Sequence, residues 1–291
     1  MVAGMNRRGV VQMRRAQGGF RERYGPWAVV AGASEGLGAA FAERAAARGL
    51  NVALVARREG ALREVAARVT GTHGVEARIV VADLAADEGA ARIAAAVAEL
   101  EVGLLVHNAA LSAPGPFLDV PVEVHQRALQ VNCGSQLGLV HALGGAMRAR
   151  GRGGVVLVSS LSGFYGGGHL ATYAATKAFG ATLAEGLWFE LAPAGVDVVA
   201  SCAGATLTPG YRRRAPERLP RLAPKPMAPE DVAEDALSAL GRGPRTIPGR
   251  GNRLASFILR AFVPRRKAIG LMSAAGREVF EAERAAKDGG S

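Results

Sequence analysis

The chain has 291 residues, 49% of them hydrophobic, a formal charge of +11 and only two cysteines. That apolar content suffices for a full core, and Cys133 and Cys202, with no CxxC and no clustered histidines, provide neither a disulfide framework nor a zinc site, which fits a reducing cytoplasm. No uninterrupted apolar run reaches the roughly 18 residues of a membrane span, and "MVAGMNRRGVVQMRRAQGG" lacks the apolar segment of a signal peptide, so neither a spanning nor an exported protein is expected.

The charge is unevenly placed. Residues 1–21 hold five arginines and no acid, and residues 236–277 hold eight arginines and Lys267, again with no acid. These stretches carry more positive charge than the whole chain's net, so the body between them is weakly acidic. Basic ends favour anionic partners of any kind and say nothing about fold; a near-neutral body argues against a nucleic-acid partner.

Apolar, β-favouring runs stand at 27–31, 51–56, 77–82, 103–107, 154–159 and 196–201, separated by Ala-, Leu- and Arg-rich segments of helical length. Strands that are apolar on both faces need cover on both, which predicts an α/β fold with a doubly wound parallel sheet and helices on either side. The expected organisation is a basic arm over 1–22, one domain over 23–250 and a basic amphipathic extension over 251–291. Function in such a sheet belongs at the carboxyl ends of its strands.

The first strand ends in "AGASEGLG". Gly32, Gly36 and Gly38 allow positive φ in the turn and let backbone amides approach an anion at the start of the next helix. The same letters, "GASEG", also match a GxSxG nucleophile elbow, which would make Ser34 the nucleophile of an α/β hydrolase. Position argues against that reading, because several strands precede the elbow in that arrangement and here the first begins near Trp27.

The second strand ends in "LVARRE". An Asp or Glu at this place accepts hydrogen bonds from an adenosine ribose, whereas an arginine accommodates a 2′-phosphate. Ala56 is followed by Arg57 and Arg58, so NADP(H) is expected over NAD(H), with Arg57 the better candidate because it comes first after the strand.

Further along, "GGVVLVSS" ends at Ser160, and "YAATK" places Tyr173 and Lys177 four apart, on one face of a helix. Taken alone, such a pair is chemistry or surface.

Together these residues resemble the short-chain dehydrogenase/reductase family, from about Tyr24 to Ala239. The glycine turn is similar to the family's TGxxxGxG with Ala31 in the threonine position, "VADL" with Asp83 to its adenine-side acid, and "HNAA" to its NNAG, keeping Asn108 with Ala110 in place of glycine. Asn132 in "VNCGS" matches its active-site asparagine, and Ser160, Tyr173 and Lys177 fall on its SxnYxxxK signature. "CAGATLT" resembles its PGxxxT with Ala203 in place of proline. Within the family the likeness is to the branch with 3-oxoacyl and hydroxysteroid reductases.

The resemblance implies a Rossmann-type fold and an NADP(H)-dependent oxidoreductase interconverting a carbonyl and a secondary alcohol. It implies Ser160, Tyr173, Lys177 and Asn132 as catalytic. Lys177 also binds the nicotinamide ribose, Ser160 hydrogen-bonds the substrate oxygen, and Asn132 holds a water that links the lysine to solvent. The cofactor is expected at Gly32, Ser34, Glu35, Gly36, Leu37, Gly38, Arg57, Arg58, Asp83, Leu84, Asn108, Ala109, Tyr173, Lys177, Gly204, Thr206 and Thr208. The chemistry is coherent: a phenol titrates near 10 unaided, and an adjacent ammonium favours its phenolate. A cofactor-binding regulator without activity would be favoured had any of Ser160, Tyr173 or Lys177 been missing.

In the family the segment after the sixth strand, here 205–228, closes over substrate; its Pro- and Arg-rich composition predicts a lid with few helix-compatible turns. The expected substrate is a hydrophobic ketone or 3-oxoacyl compound, and the expected assembly a homo-oligomer, dimer or tetramer. In 252–267, "NRLASFILRAFVPRRK", a helix sets Arg253, Ser256 and Arg260 on one face and Leu254, Phe257, Ile258, Ala261 and Phe262 on the remainder. Such a segment packs on the core, on a second subunit or on a membrane surface.

Overall fold

A computed structural model describes residues 19–213 and 224–288. Residues 1–18 of the expected arm and 214–223 of the expected lid lie outside the described residues.

Every expected strand forms, shifted by at most two residues at an end: β1 Trp27–Ala31, β2 Asn51–Ala56, β3 Ala77–Val81, β4 Val102–His107, β5 Gly153–Ser160 and β6 Val196–Ala203. A seventh, β7 at Arg245–Thr246, is too short to read from sequence. All pairings are parallel, in the order β3-β2-β1-β4-β5-β6-β7. The helices are α1 Phe20–Tyr24, α2 Gly36–Ala46, α3 Glu59–His73, α4 Gly89–Ala96, α5 Val122–Leu129, α6 Ser135–Arg150, α7 Ala171–Leu191, α8 Pro209–Arg212, α9 Pro229–Ser238, α10 Arg250–Phe262 and α11 Arg265–Asp288.

Two apolar clusters lie on opposite sides of the sheet. One joins Val30, Leu54, Leu104 and Val199 to Phe41 of α2, Leu62 of α3 and Val232 and Leu237 of α9. The other joins Val29, Leu105, Leu157 and Val198 to Ile93 of α4, Leu139 and Met147 of α6 and Ala184 of α7. Burial on both sides is why β4 and β5 carry apolar residues without alternation. The chain reverses its direction of travel across the sheet between β1 and β4, which opens a crevice at their carboxyl ends.

The ends of the chain are more integrated than expected. In α1, Phe20 packs against the core and the buried Tyr24 donates through its hydroxyl to Asp197 Oδ2 at 2.6 Å, so the arm's last residues belong to the body. Among the described residues the lid contains one short helix, α8, begun by Pro209 and capped by Thr208, whose Oγ1 accepts from Tyr211 N at 3.1 Å. The segment after 250 folds back over the carboxyl ends of the strands. Gly168 N donates to Ser273 Oγ at 2.8 Å, and Gly276 lies so close to Gly168 that a Cβ would stand 2.3 Å from its carbonyl oxygen.

Candidate active site

At one end of the crevice the glycine turn is locked by backbone. Gly32 N and Ala33 N both donate to Val55 O, at 2.8 and 3.1 Å. Gly32 has φ +84°, and a Cβ there would meet the Ala109 backbone at 2.8 Å; one at Gly38 would stand 1.9 Å from Gly32 O. Only glycine fits either position. Asn108 fastens the next strand end to the same turn, its Nδ2 donating to Gly32 O at 3.1 Å while its N and that of Ala109 reach Ala31 O.

Arg58 caps the start of α3 and reaches back across this turn. Its Nη2 donates to Ser34 Oγ at 3.2 Å and pairs with Glu35 at 3.0 Å. Arg57 stands exposed on the same rim. Arg57 and Arg58 thus both line the cleft, and Arg58 is the one that touches the glycine turn. Asp83 is held by Ala85 N at 2.9 Å and by Arg127 at 2.8 Å, an exposed ion pair at the opposite rim.

In the middle of the crevice stand the three residues of the expected signature. Ser160 is the last residue of β5, and its Oγ accepts from Ser162 N at 3.1 Å, leaving its own proton available to a ligand. Tyr173 lies half-buried in the first turn of α7, with Lys177 one turn on. The lysine is 4% exposed; its Nζ donates to Val158 O at 2.8 Å and sits 5.6 Å from the Tyr173 ring centroid. Ser159 Oγ donates to Lys177 O at 2.7 Å, so the end of β5 and the Tyr173–Lys177 turn of α7 are tied directly. Burial pushes the Lys177 ammonium down to about 8.

Asn132 is buried in the π-helical turn Gln130–Gly134 between α5 and α6 and does not line the crevice. Its Nδ2 donates to Leu111 O at 2.8 Å and to Thr176 Oγ1 at 2.9 Å, and its Oδ1 accepts from Leu111 N at 2.7 Å. Both side-chain protons are spent on protein, so the side chain pins the loop after β4 to α7. The neighbouring His107 is fully buried, bonded to Ser135 Oγ at 2.6 Å, and burial holds it down to about 3, a neutral ring. Cys202 is buried; Cys133 is half-buried, and burial pushes its thiol up to about 11.

These features open into one cleft of about 1490 Å³, larger than the roughly 300–1,000 Å³ of a single-ligand pocket. Every residue expected at the cofactor lines it except Gly38, which lies beneath the turn. The bare, glycine-shaped turn with two arginines at its rim fits an extended phosphate-bearing ligand.

A sequence profile described as short chain dehydrogenase matches residues 26–218. The chain belongs to that family. Among its relatives, a 7β-hydroxysteroid dehydrogenase of Clostridium sardiniense is 36% identical over 234 residues, covering 80% of this chain and 89% of its own length. A solved 7β-hydroxysteroid dehydrogenase superposes with a TM-score of 0.83 at 32% identity, covering 87% of this chain and 99% of that one. A short-chain dehydrogenase from Sphingobium yanoikuyae, solved in complex with NADPH, superposes with a TM-score of 0.71 at 31% identity over 81% of this chain and 92% of its own. The hydrolase reading of Ser34 gives way to this: the chain is an oxidoreductase of the short-chain dehydrogenase family, and Ser34 is the partner of Arg58.

The far end of the short-chain dehydrogenase cleft was not foreseen. Its wall is made by Tyr165 and Leu170 of the loop before α7, Leu259 and Val263 from α10 and beyond, and Met272 and Val279 of α11. Tyr165 OH donates to Leu259 O at 3.3 Å, which joins loop to helix. The available signal was the helical spacing of apolar residues after 250, which announces two faces without saying which one meets the site.

Proposed function

We propose that the protein interconverts a ketone and a secondary alcohol on a bulky hydrophobic compound of steroid-like size, using NADP(H). The observation that carries this is the convergence of Ser160, Tyr173 and Lys177 between a glycine turn and an apolar wall in one cleft. The activity of the 7β-hydroxysteroid dehydrogenases supports the substrate class, and the apolar lining from Leu259, Val263, Met272 and Val279 favours it over a polar sugar.

The nicotinamide, when bound, donates or accepts the hydride. Ser160 donates a hydrogen bond to the substrate oxygen and holds it beside Tyr173. Tyr173 gives its proton to that oxygen in reduction and takes it back in oxidation. Lys177, fixed by Val158 O, places a positive charge behind the phenol and stabilises the phenolate left by proton transfer. Because the ammonium titrates at about 8, that charge is in place at neutral pH. Asn132 acts through position, holding Leu111 and Thr176 so that the strand end and α7 keep their spacing.

Arg57 and Arg58 bind the 2′-phosphate, with no carboxylate at the end of β2 to prefer the free hydroxyl. Each charge-assisted hydrogen bond contributes about 1.5–3 kcal/mol, enough for more than a tenfold preference. The apolar Leu129, Leu137 and Phe189, exposed on α5, α6 and α7, support assembly into a dimer or tetramer. The reducing compartment that two unpaired cysteines suit is the cytoplasm.

The test is oxidation of NADPH and NADH by purified protein against hydroxysteroid ketones, 3-oxoacyl thioesters, small ketones and aldehydes. Turnover of a steroid ketone with NADPH is expected, with Arg57→Asp and Arg58→Asp each narrowing or reversing the cofactor preference. Equal efficiency with both cofactors in the unmutated protein defeats the cofactor assignment, and activity confined to small aldehydes defeats the substrate assignment.

A further inference from the structure

Helix α10 buries two neutral polar residues and leaves much of its apolar side exposed. Its inward side presents Asn252 and Ser256, both buried, with Asn252 Nδ2 donating to Pro248 O at 2.9 Å. Its outward side presents Leu254 and Phe257, each 61% exposed, Ile258 at 46% and Phe262 at 71%. Asn252 is hydrogen-bonded inside while four apolar residues are left outside, where single surface hydrophobics are ordinary but a contiguous set marks an interaction site. Leu271 of α11, 60% exposed, extends the set across the break between the two helices.

This surface is continuous with the cleft. Leu254, Ile258 and Leu271 are both exposed and part of the cleft lining, so the apolar patch is the rim of the substrate mouth. It is also surrounded by cations. No acid occurs between Asp235 and Glu278, and Arg250, Arg266 and Lys267 are exposed around the patch. Arg260 and Arg265 turn back over the rings of Phe164 and Tyr165, at 5.0 and 5.5 Å, and Arg253 pairs with Asp235 at 3.2 Å.

The charge pattern chooses the occupant. A second copy docking this patch on itself would bring one basic rim against another, a repulsion that disfavours that pairing. An anionic bilayer offers the complement on both counts: phosphate headgroups for the rim and acyl chains for the apolar residues. No helix among the described residues is long and apolar enough to cross a membrane, so the contact is with the surface.

We propose that α10 and the start of α11 seat the protein on an anionic lipid surface, with the mouth of the cleft opening at that surface. A hydrophobic compound dissolved in the leaflet on which the protein sits then reaches the cleft without crossing water. The seating itself does not depend on which carbonyl is reduced.

Co-sedimentation of the full chain with vesicles of equal parts phosphatidylglycerol and phosphatidylcholine, against phosphatidylcholine alone, tests it. Binding is expected to the anionic vesicles at low salt, several-fold weaker at high salt and weaker still on the neutral ones. Phe257→Ser with Phe262→Ser, at two exposed positions outside the cleft lining, is expected to weaken binding by about tenfold or more while melting and turnover of a soluble ketone stay unchanged. Arg266→Glu with Lys267→Glu is expected to abolish the preference for anionic vesicles, an independent arm should the first variant fold poorly. No binding to the anionic vesicles at low salt overturns the proposal, as does equal binding to both vesicles. So does ultracentrifugation without lipid in which the serine variant splits a larger species, since a second copy would then be the occupant.

Discussion

The glycine-turn end and the substrate end of the cleft are built from different materials. At the first, backbone meets backbone: Gly38 faces Gly32 O, Gly32 faces Ala109, and Asn108 stitches two strand ends together, with no spare volume for a methyl group. At the second, side chains from a loop and two late helices enclose space, with Tyr165, Leu259 and Met272 as adjustable walls. A site made of backbone tolerates almost no change and so binds one kind of ligand; a site made of side chains can be resized without disturbing the sheet. Tyr173 and Lys177 sit on the border and serve both.

The contrast is sharpest at that border. Tyr173→Phe is expected to lower turnover by about 10²-fold or more, with cofactor affinity unchanged, because only the proton donor is removed. Near-normal turnover in the folded variant would mean that the chemistry lies elsewhere. The same border has a pH signature. Burial places Lys177 at about 8, against 10.5 for an unperturbed lysine, so between those values the folded chain holds fewer protons than the unfolded one. Stability should therefore gain from Lys177 as pH rises through that window, while carbonyl reduction falls as the ammonium is lost. Parallel pH profiles of unfolding and of reduction check this, and a gain in both would contradict the assigned role.

Next in size is the backbone end. Gly38→Ala puts a methyl group where only 1.9 Å is available, so a loss of about 1–3 kcal/mol or more in unfolding free energy is expected, with cofactor affinity falling too. Unchanged denaturant unfolding would erase the distinction between the two ends. The smallest effect belongs to the wall. Met272→Ala is expected to raise KM for a bulky ketone by roughly fivefold, in line with about 1 kcal/mol of lost apolar contact, while kcat, cofactor affinity and melting stay as they were. A collapse in melting temperature instead would make α11 part of the structural core.

The same division decides what could be read in advance. The glycine turn, Asn108 and Ser160 are local patterns at strand ends, and Tyr173 and Lys177 lie one turn apart at the start of α7; a doubly wound sheet brings strand ends and helix starts together, so their meeting in one cleft could be read. Arg57 and Arg58 stand side by side in the sequence, and which one folds back over Ser34 depends on the entry of α3. Asn132 was expected to hold a water, whereas its side chain is consumed by Leu111 and Thr176, contacts set by a π turn that no spacing announces. The apolar wall was illegible for a geometric reason. Periodicity over 252–267 separates two faces, and only the packing of α10 and α11 on the loop before α7 turns Leu259 into the cleft while Phe257 and Phe262 stay exposed.

The close approach of Gly276 to Gly168 has a consequence in time as well as space. The residues of the glycine turn, the signature and the cap at Thr208 are all synthesised before position 210, whereas the wall needs α11 to dock through Gly276 and Ser273. During translation the nucleotide end can assemble while the substrate end still lacks a side. Redox chemistry thus waits on a docking step that the ribosome delivers late, and the selectivity of the finished site is written in a stretch of chain that could be exchanged without rewriting its chemistry.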